Sequence, residues 1–201
     1  LTLIVTACSS SSRSIINDNG NGSPRLNQVS GRVYVPGSAS TLSISSQALF
    51  GQLPLEGAKV IAYEASSPLK QLEWVTGITD SEGRYTLIEV PSNRSVIIVA
   101  SKEVEGIGTV RLSTYLEGAR TKTRADMDVA TSLVTEVIAS KLQAGEDYEI
   151  NQAVFESALS NAREFVSDEM LTLEDIATEA GTIFGEKIGE DFNTDYIDEE
   201  S

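Results

Sequence analysis

The sequence predicts an α+β fold: an antiparallel β-sandwich followed by a three-helix acidic segment that packs on or beside it. Three observations predict this. Between residues 28 and 120, short apolar-alternating runs recur with turn residues between them. Between residues 126 and 190, apolar residues recur at helical spacing instead. Charge divides at the same place: residues 28–119 carry seven Lys/Arg against nine Asp/Glu, and residues 120–201 carry six against twenty. Two regions of different character follow from that split.

Composition removes several classes of chemistry. The chain has 201 residues, enough for a real core, and a net charge of -15. An acidic surface argues against nucleic acid and anionic headgroups, which are met by Lys and Arg. There is no histidine, hence no usual general base, zinc ligand or pH switch. One cysteine excludes an intrachain disulfide and a thiolate metal cluster. No cofactor and no metal site are expected.

Leu1 stands where a start methionine would, so the chain is expected to begin inside a longer precursor. Residues 1–7, with Leu1, Leu3, Ile4 and Val5, have the character of the end of a signal-peptide apolar region. Val5-Thr6-Ala7-Cys8 resembles the lipobox of bacterial lipoproteins. The resemblance implies that the chain is cut before Cys8, that its sulfur receives a diacylglycerol, and that the new N-terminus takes a further acyl chain such as palmitate. Several acyl chains hold a protein to a membrane stably, where one holds it marginally. Residues 9–27, SSSSRSIINDNGNGSPRLN, are rich in Ser, Asn and Gly and read as a tether reaching about 24 Å. The NDNGNG stretch lacks the alternating acids of a calcium loop and has Val29 where the bidentate Glu would fall.

The strands follow in order. GRVYV (31–35) sets Val33 and Val35 on one face. GAKVIAYEA (57–65) sets Ala58, Val60 and Ala62 inward and Ile61 and Tyr63 outward. LEWVTGIT (72–79), RYTLIEV (84–90), SVIIVAS (95–101) and GTVRLST (108–114) complete the set. Between the third and fourth, Asp80-Ser81-Glu82-Gly83 has turn chemistry: Asp80 bonds backbone groups ahead, and Gly83 takes positive φ. SVIIVA is apolar on both faces, which predicts that the helices cover the outer face.

These residues carry a resemblance. Gly31, Leu55-Glu56-Gly57-Ala58-Lys59-Val60, Thr79-Asp80-Ser81-Glu82-Gly83-Arg84-Tyr85 and Val90-Pro91 are similar to a carboxypeptidase regulatory-like domain, which has the prealbumin (transthyretin-like) sandwich. The resemblance covers about 90 residues and implies a non-catalytic structural or binding unit. Hydroxyisourate hydrolases and intradiol dioxygenases, built on related sandwiches, rely on histidines this chain lacks. Adhesin domains of similar build form Lys–Asn isopeptide bonds. Here Glu89 matches the position of the helping acid, but Arg32 stands where lysine is needed, and a guanidinium cannot replace the amine nucleophile. Residues 36–54 are longer than the usual first connection and fit a long loop or an extra edge strand, with Phe50 placed to cap the core.

The helical segment carries three stripes. Ala130, Leu133, Val134, Val137, Ile138 and Leu142 form the first, with Asp126 or Asp128 as cap. Val154, Phe155, Leu159, Ala162, Phe165 and Val166 form the second. Leu173, Ile176, Ala177, Ala180, Ile183, Phe184 and Ile188 form the third, after a Thr172/Asp175 capping pattern. Glu156, Glu164, Glu174, Glu179 and Glu186 fall between the stripes, as a solvated face does. In the tail, residues 191–201, Asp191, Asn193 and Asp195 have calcium-loop spacing, but Tyr196 sits where Gly is required.

The expected function is that of an envelope lipoprotein, held to the outer membrane or the outer face of the cell membrane through lipid on Cys8. Its role is non-catalytic binding or scaffolding, with an envelope protein or glycan as partner. A subunit of a larger envelope or adhesion assembly is one alternative. A carboxylate-based hydrolase of surface glycans is another, although no spacing singles out a carboxylate pair and Ser132 and Ser140 have no histidine partner. Phe50 and Trp74 are the candidate binding-surface residues, although a strand tryptophan is more often core.

Overall fold

The computed structural model describes residues 27–37, 52–119, 122–144 and 151–169. Cys8, the tether, Phe50, the third helical stripe and the acidic tail lie outside the described residues.

Among the described residues, nine strands and two helices follow in order. The strands are β1 (Gln28–Arg32), β2 (Tyr34–Pro36), β3 (Gln52–Pro54), β4 (Lys59–Glu64), β5 (Lys70–Ile78), β6 (Arg84–Ile88), β7 (Val96–Val104), β8 (Gly108–Leu116) and β9 (Lys122–Arg124). The helices are α1 (Val129–Ala144) and α2 (Gln152–Glu169). One sheet has the order β6-β1-β9 and the other β5-β4-β7-β8, with β2-β3 as a separate ribbon. Their inner faces share one core. Val29, Val33 and Leu87 from one side and Val60, Ile98 and Leu112 from the other are fully buried. Each such side chain contributes roughly 2 kcal/mol through burial.

Period-2 alternation produces these faces. Ala58, Val60 and Ala62 are fully buried, while Ile61 and Tyr63 are half-buried on the outer face. The Asp80–Gly83 turn forms as its residues predict: Asp80 Oδ1 accepts the backbone N–H of Glu82 at 2.9 Å and of Arg84 at 2.8 Å. Gly83 takes φ 69°, and a Cβ there would lie 2.7 Å from the Val33 carbonyl oxygen. Thr79, buried, ties this turn to the preceding loop by donating to Leu55 O and accepting from Ala58 N at 2.8 Å.

One expectation changes and one open alternative is resolved. The sandwich is not wholly antiparallel, because β9 pairs in parallel with β1. Lys-Thr-Arg is too short and too polar to alternate, so pattern alone passes over it. The chain then continues alongside β1 to a parallel bridge between Val33 and Met127. Of the long first connection, residues 52–54 form the extra strand β3, antiparallel to β2. Among the described residues there are two helices, and the third expected helix falls outside them.

The helices cover less of the sheet than expected, and in a different way. Among the described residues, strand β8 has no strand neighbour beyond it. There Ser132 Oγ of α1 accepts the Ser113 N–H at 2.8 Å, and Thr131 Oγ1 donates to the Ser113 carbonyl at 2.9 Å. Two helix hydroxyls thus satisfy backbone groups that a further strand would have paired. Asp128 starts α1: its Oδ1 accepts Thr131 N–H at 2.8 Å, while Thr131 Oγ1 accepts Asp128 N–H at 2.9 Å. Helix α2, capped by Asn151 Oδ1 on Val154 N–H at 3.0 Å, packs behind α1. This is why α1 is buried nearly all round, from Val129 to Val134 without a break. Among the described residues the outer face over β4 and β5 stays open: Trp74 and Ile78 of β5 are exposed there.

Candidate functional site

The open face is built by the β4–β5 pair. Register runs regularly through Lys59↔Ile78, Val60↔Gly77 and Ile61↔Thr76, then shifts to Tyr63↔Gln71. Two steps along β4 therefore match five along β5, so residues 72–75 form a bulge. Leu72 and Val75 both turn into the core, at 3% and 0% exposure. Glu73 and Trp74 between them are driven outward, and Trp74 is 61% exposed. Bulges re-aim side chains in this way. The burial tendency of tryptophan favours a core position for Trp74, and strict alternation would have put it on one face with Leu72; the bulge overrides both.

Ile78 lies on the same outer face, opposite Lys59, and is 71% exposed. Tyr63, Ile61, Gln71 and Thr76 complete the surface. Beneath it the strand is held closely: a Cβ on Gly77 would stand 3.2 Å from both Leu87 Cδ2 and Thr86 O of β6. The strand is therefore packed closely on β6, and beside Trp74 and Ile78 the face carries Lys59 and Glu73, neither in a salt bridge among the described residues.

A second region lies on the opposite side, where β8, the β9–α1 connection and α2 meet. A cleft of about 290 Å³ is lined by Thr114, Tyr115, Arg124, Asp128, Phe155 and Arg163, among others. Tyr115 and Phe155 form its aromatic wall, with ring centroids 5.7 Å apart. Its acids are engaged in holding the fold. Asp126 accepts the Arg32 N–H at 3.0 Å and pairs with Arg124 at 2.8 Å. Asp128 caps α1, and Glu156 Oε1 accepts from Gln152 Nε2 at 3.1 Å. Nothing in the sequence pattern marked this cleft, because its residues come from three separate segments and read individually as caps and solvated charges.

Three further groups clarify the chemistry. Burial pushes the Glu136 carboxyl of α1 up to about 7, against the opposing pull of Arg111 and the Ser113 hydroxyl. Ser113 Oγ is fully buried and the Glu136 carboxyl beside it stays short of hydrogen-bonding geometry. This acid sits at the α1–β8 contact and does not line the cleft. Tyr85 is buried with its hydroxyl donating to the Ala125 carbonyl, and burial raises its pKa. Glu89 is exposed in a left-handed conformation, φ 61°, so it is not a buried acid set between an amine and an amide. Among the described residues no three His, Cys, Asp or Glu side chains gather as a metal-binding group. No described helix is long and apolar enough to cross a membrane.

No family model matches the sequence, and no curated protein matches it. Among solved structures, the N-terminal domain of the shaft pilin SpaA from Lactobacillus rhamnosus GG is similar at 12% identity and a TM-score of 0.34, over 51% of this chain and 93% of that one. The major plantain pollen allergen Pla l 1 is similar at 17% identity and a TM-score of 0.31, over 51% and 93%. A 9R-lipoxygenase from Cyanothece PCC8801 is similar at 9% identity and a TM-score of 0.31, over 72% of this chain and 25% of that one. The β-sandwich is read from its own strand pairing and core, and similarity at this level assigns no function.

Proposed function

We propose that this chain is a lipid-anchored bacterial envelope protein whose sandwich acts as a non-catalytic binding module, with the Trp74 face as its contact surface. The observation that carries the reading is the outward-turned Trp74, 61% exposed on a strand whose neighbours Leu72 and Val75 are buried. An aromatic side chain of that size is ordinarily buried against its own fold. The paired strands β4 and β5 present it from regular secondary structure, which limits the ordering cost of binding. The engaged acids of the cleft support a binding role over hydrolysis, which needs two available carboxyls about 5–10 Å apart. The lipobox-like Val5-Thr6-Ala7-Cys8 supports the anchor.

Co-sedimentation with envelope fragments tests the module. A soluble chain starting after Cys8 is expected to bind saturably, and Trp74→Ala to weaken binding at least about tenfold, as loss of an aromatic anchor does. Equal binding by parent and variant would sink the Trp74 assignment. For the anchor, Cys8→Ala is expected to release the full precursor's product from the membrane fraction; unchanged retention would refute it.

A further inference from the structure

The β6-β1-β9 sheet, opposite the sheet that bears Trp74, has an outer face with a charge of its own. Val29 and Leu87 are fully buried, so the residues that alternate with them point away from the core. Pairing sets Arg32 beside Arg84, Ser30 beside both Thr86 and Arg124, and Gln28 beside Ile88. The side chains of Arg84 and Arg124 are 50% and 74% exposed, and Arg32 is half-buried on the strand between them. Among the described residues, two carboxylates are paired with these three guanidiniums. Glu82 pairs with Arg84 and stands 4.0 Å from Arg32, and Asp126 pairs with Arg124 at 2.8 Å. The Arg32 guanidinium donates to the Tyr34 hydroxyl at 3.1 Å. One cationic charge is thus left over, in a chain of net charge -15. Ile88, 54% exposed, adds an apolar contact at the end of the row.

We infer that this arginine row is the docking surface for the acidic segment of the same chain that follows α2, residues 170–201. That segment carries ten Asp/Glu against one Lys. Its last twelve residues, EDFNTDYIDEES, hold six acids and no cation, with Phe192, Tyr196 and Ile197 among them. Carboxylates suit the guanidinium forks, and the interleaved apolar residues suit Ile88. Reach is sufficient: residues 170–201 span about 48 Å as a helix and about 31 Å r.m.s. as a flexible coil. Helix α2 ends at Glu169, less than two turns beyond Arg163, and Arg163 lines the same cleft as Arg124. The segment therefore sets off from the Arg124 side of the face. Surface ion pairs are individually weak. Tethering offsets this with an effective concentration on the order of millimolar, which a free polyanion lacks. Repulsion from the rest of the acidic chain is modest, because exposed charges beyond about 8 Å are screened at physiological salt.

Paramagnetic relaxation in the soluble chain tests the contact. Starting after Cys8 the chain has no cysteine, so a nitroxide on Ser201→Cys is the sole label. The amide signals of Ser30, Thr86 and Ile88 are expected to lose intensity, while those of Trp74 and Ile78 on the other sheet keep theirs. The loss should reverse in about 1 M NaCl, where the screening length falls to about 3 Å. It should also reverse when Asp195→Asn, Asp198→Asn, Glu199→Gln and Glu200→Gln are combined, changes that leave every sandwich residue in place. No loss on β1 and β6, equal loss on the β4–β5 face, or loss that persists in high salt or in the neutralised variant overturns the inference. A mixture of isotope-labelled chain without nitroxide and unlabelled chain with it should show no loss. Loss in that mixture assigns the face to the segment of a second copy and overturns the contact within one chain.

Discussion

Strands β8 and β5 are the two outer strands of the same sheet, each nine residues long, and the chain treats them oppositely. At β8 a helix lends hydroxyls to the unpaired backbone, and a second helix packs behind the first. At β5 nothing among the described residues covers the outer face, and a bulge turns a tryptophan outward. An exposed strand edge is a hazard that proteins seal or disrupt. This sandwich seals one side with side chains and uses the other to display them. Stability and display are thus separated across the sheet, and substitutions on the two sides should differ in kind.

The largest effect is expected where backbones come closest on the sealed side. A Cβ on Gly31 would fall 1.8 Å from the Ala125 carbonyl oxygen and 2.6 Å from its carbon. Backbone cannot yield there as a flexible side chain could, because the 125–127 segment is bonded to β1 through Ala125 N to Ser30 O at 3.0 Å and Met127 N to Arg32 O at 2.8 Å. Gly31→Ala should cost about 3 kcal/mol or more in denaturant unfolding, as overpacking against fixed atoms does. A cost below about 1 kcal/mol would mean that β9 and its continuation are not held to β1 as described.

Ser132→Ala comes next. It leaves the buried Ser113 N–H without an acceptor, a loss of about 2 kcal/mol. Amide exchange at Ser113 should rise together with the loss, since the same bond protects it. Stability unchanged and exchange unchanged would show that α1 does not close this edge.

Glu136 gives a smaller effect with a definite pH signature. Its folded pKa of about 7 lies above the 4.5 of a free glutamate, so the native state holds the proton more tightly than the unfolded chain. The protonated form suits the fold. That favourable contribution is complete below pH 4.5, declines as pH rises through the interval to about 7, and is flat above it. Glu136→Gln should therefore match the parent near pH 4 and exceed it by about 1–2 kcal/mol at pH 8, after discounting for partial solvent contact. A constant difference across that range would show that burial does not control this carboxyl.

Much of this architecture was legible from residue order, and the exceptions have physical causes. Ala58, Val60 and Ala62 alternate because one face of β4 is dry, and Asp80 and Gly83 form their turn from local chemistry alone. A cap at Asp126 or Asp128 was readable for the same reason, and the structure uses Asp128. The parallel strand β9 was not, since three polar residues take their pairing from Gln28–Ser30, far away in sequence. Nor was the edge seal at Ser113: a serine and a threonine on a helix announce nothing until the strand they serve is beside them. Of the candidate binding residues, Trp74 could be named from sequence but not placed. Its exposure depends on a register shift that two strands decide together.

That register shift sets the smallest stability effect and the sharpest contrast. Trp74 is large, and removing a core tryptophan costs about 3–5 kcal/mol through lost burial and the cavity left behind. At 61% exposure the ring has surrendered little surface to the fold, and Leu72 and Val75 fill the core on either side of it. Trp74→Ala should accordingly change unfolding free energy by less than about 0.5 kcal/mol. The paired control is Val75→Ala, one residue along the same strand, where full burial predicts a loss of about 1–3 kcal/mol. If Trp74→Ala proves as damaging as Val75→Ala, the bulge is closed in solution, the ring is packed inward, and the face has nothing to display. If the small residue change is costly and the large one nearly silent, β5 holds its core with Leu72 and Val75 and leaves the indole to whatever the face meets.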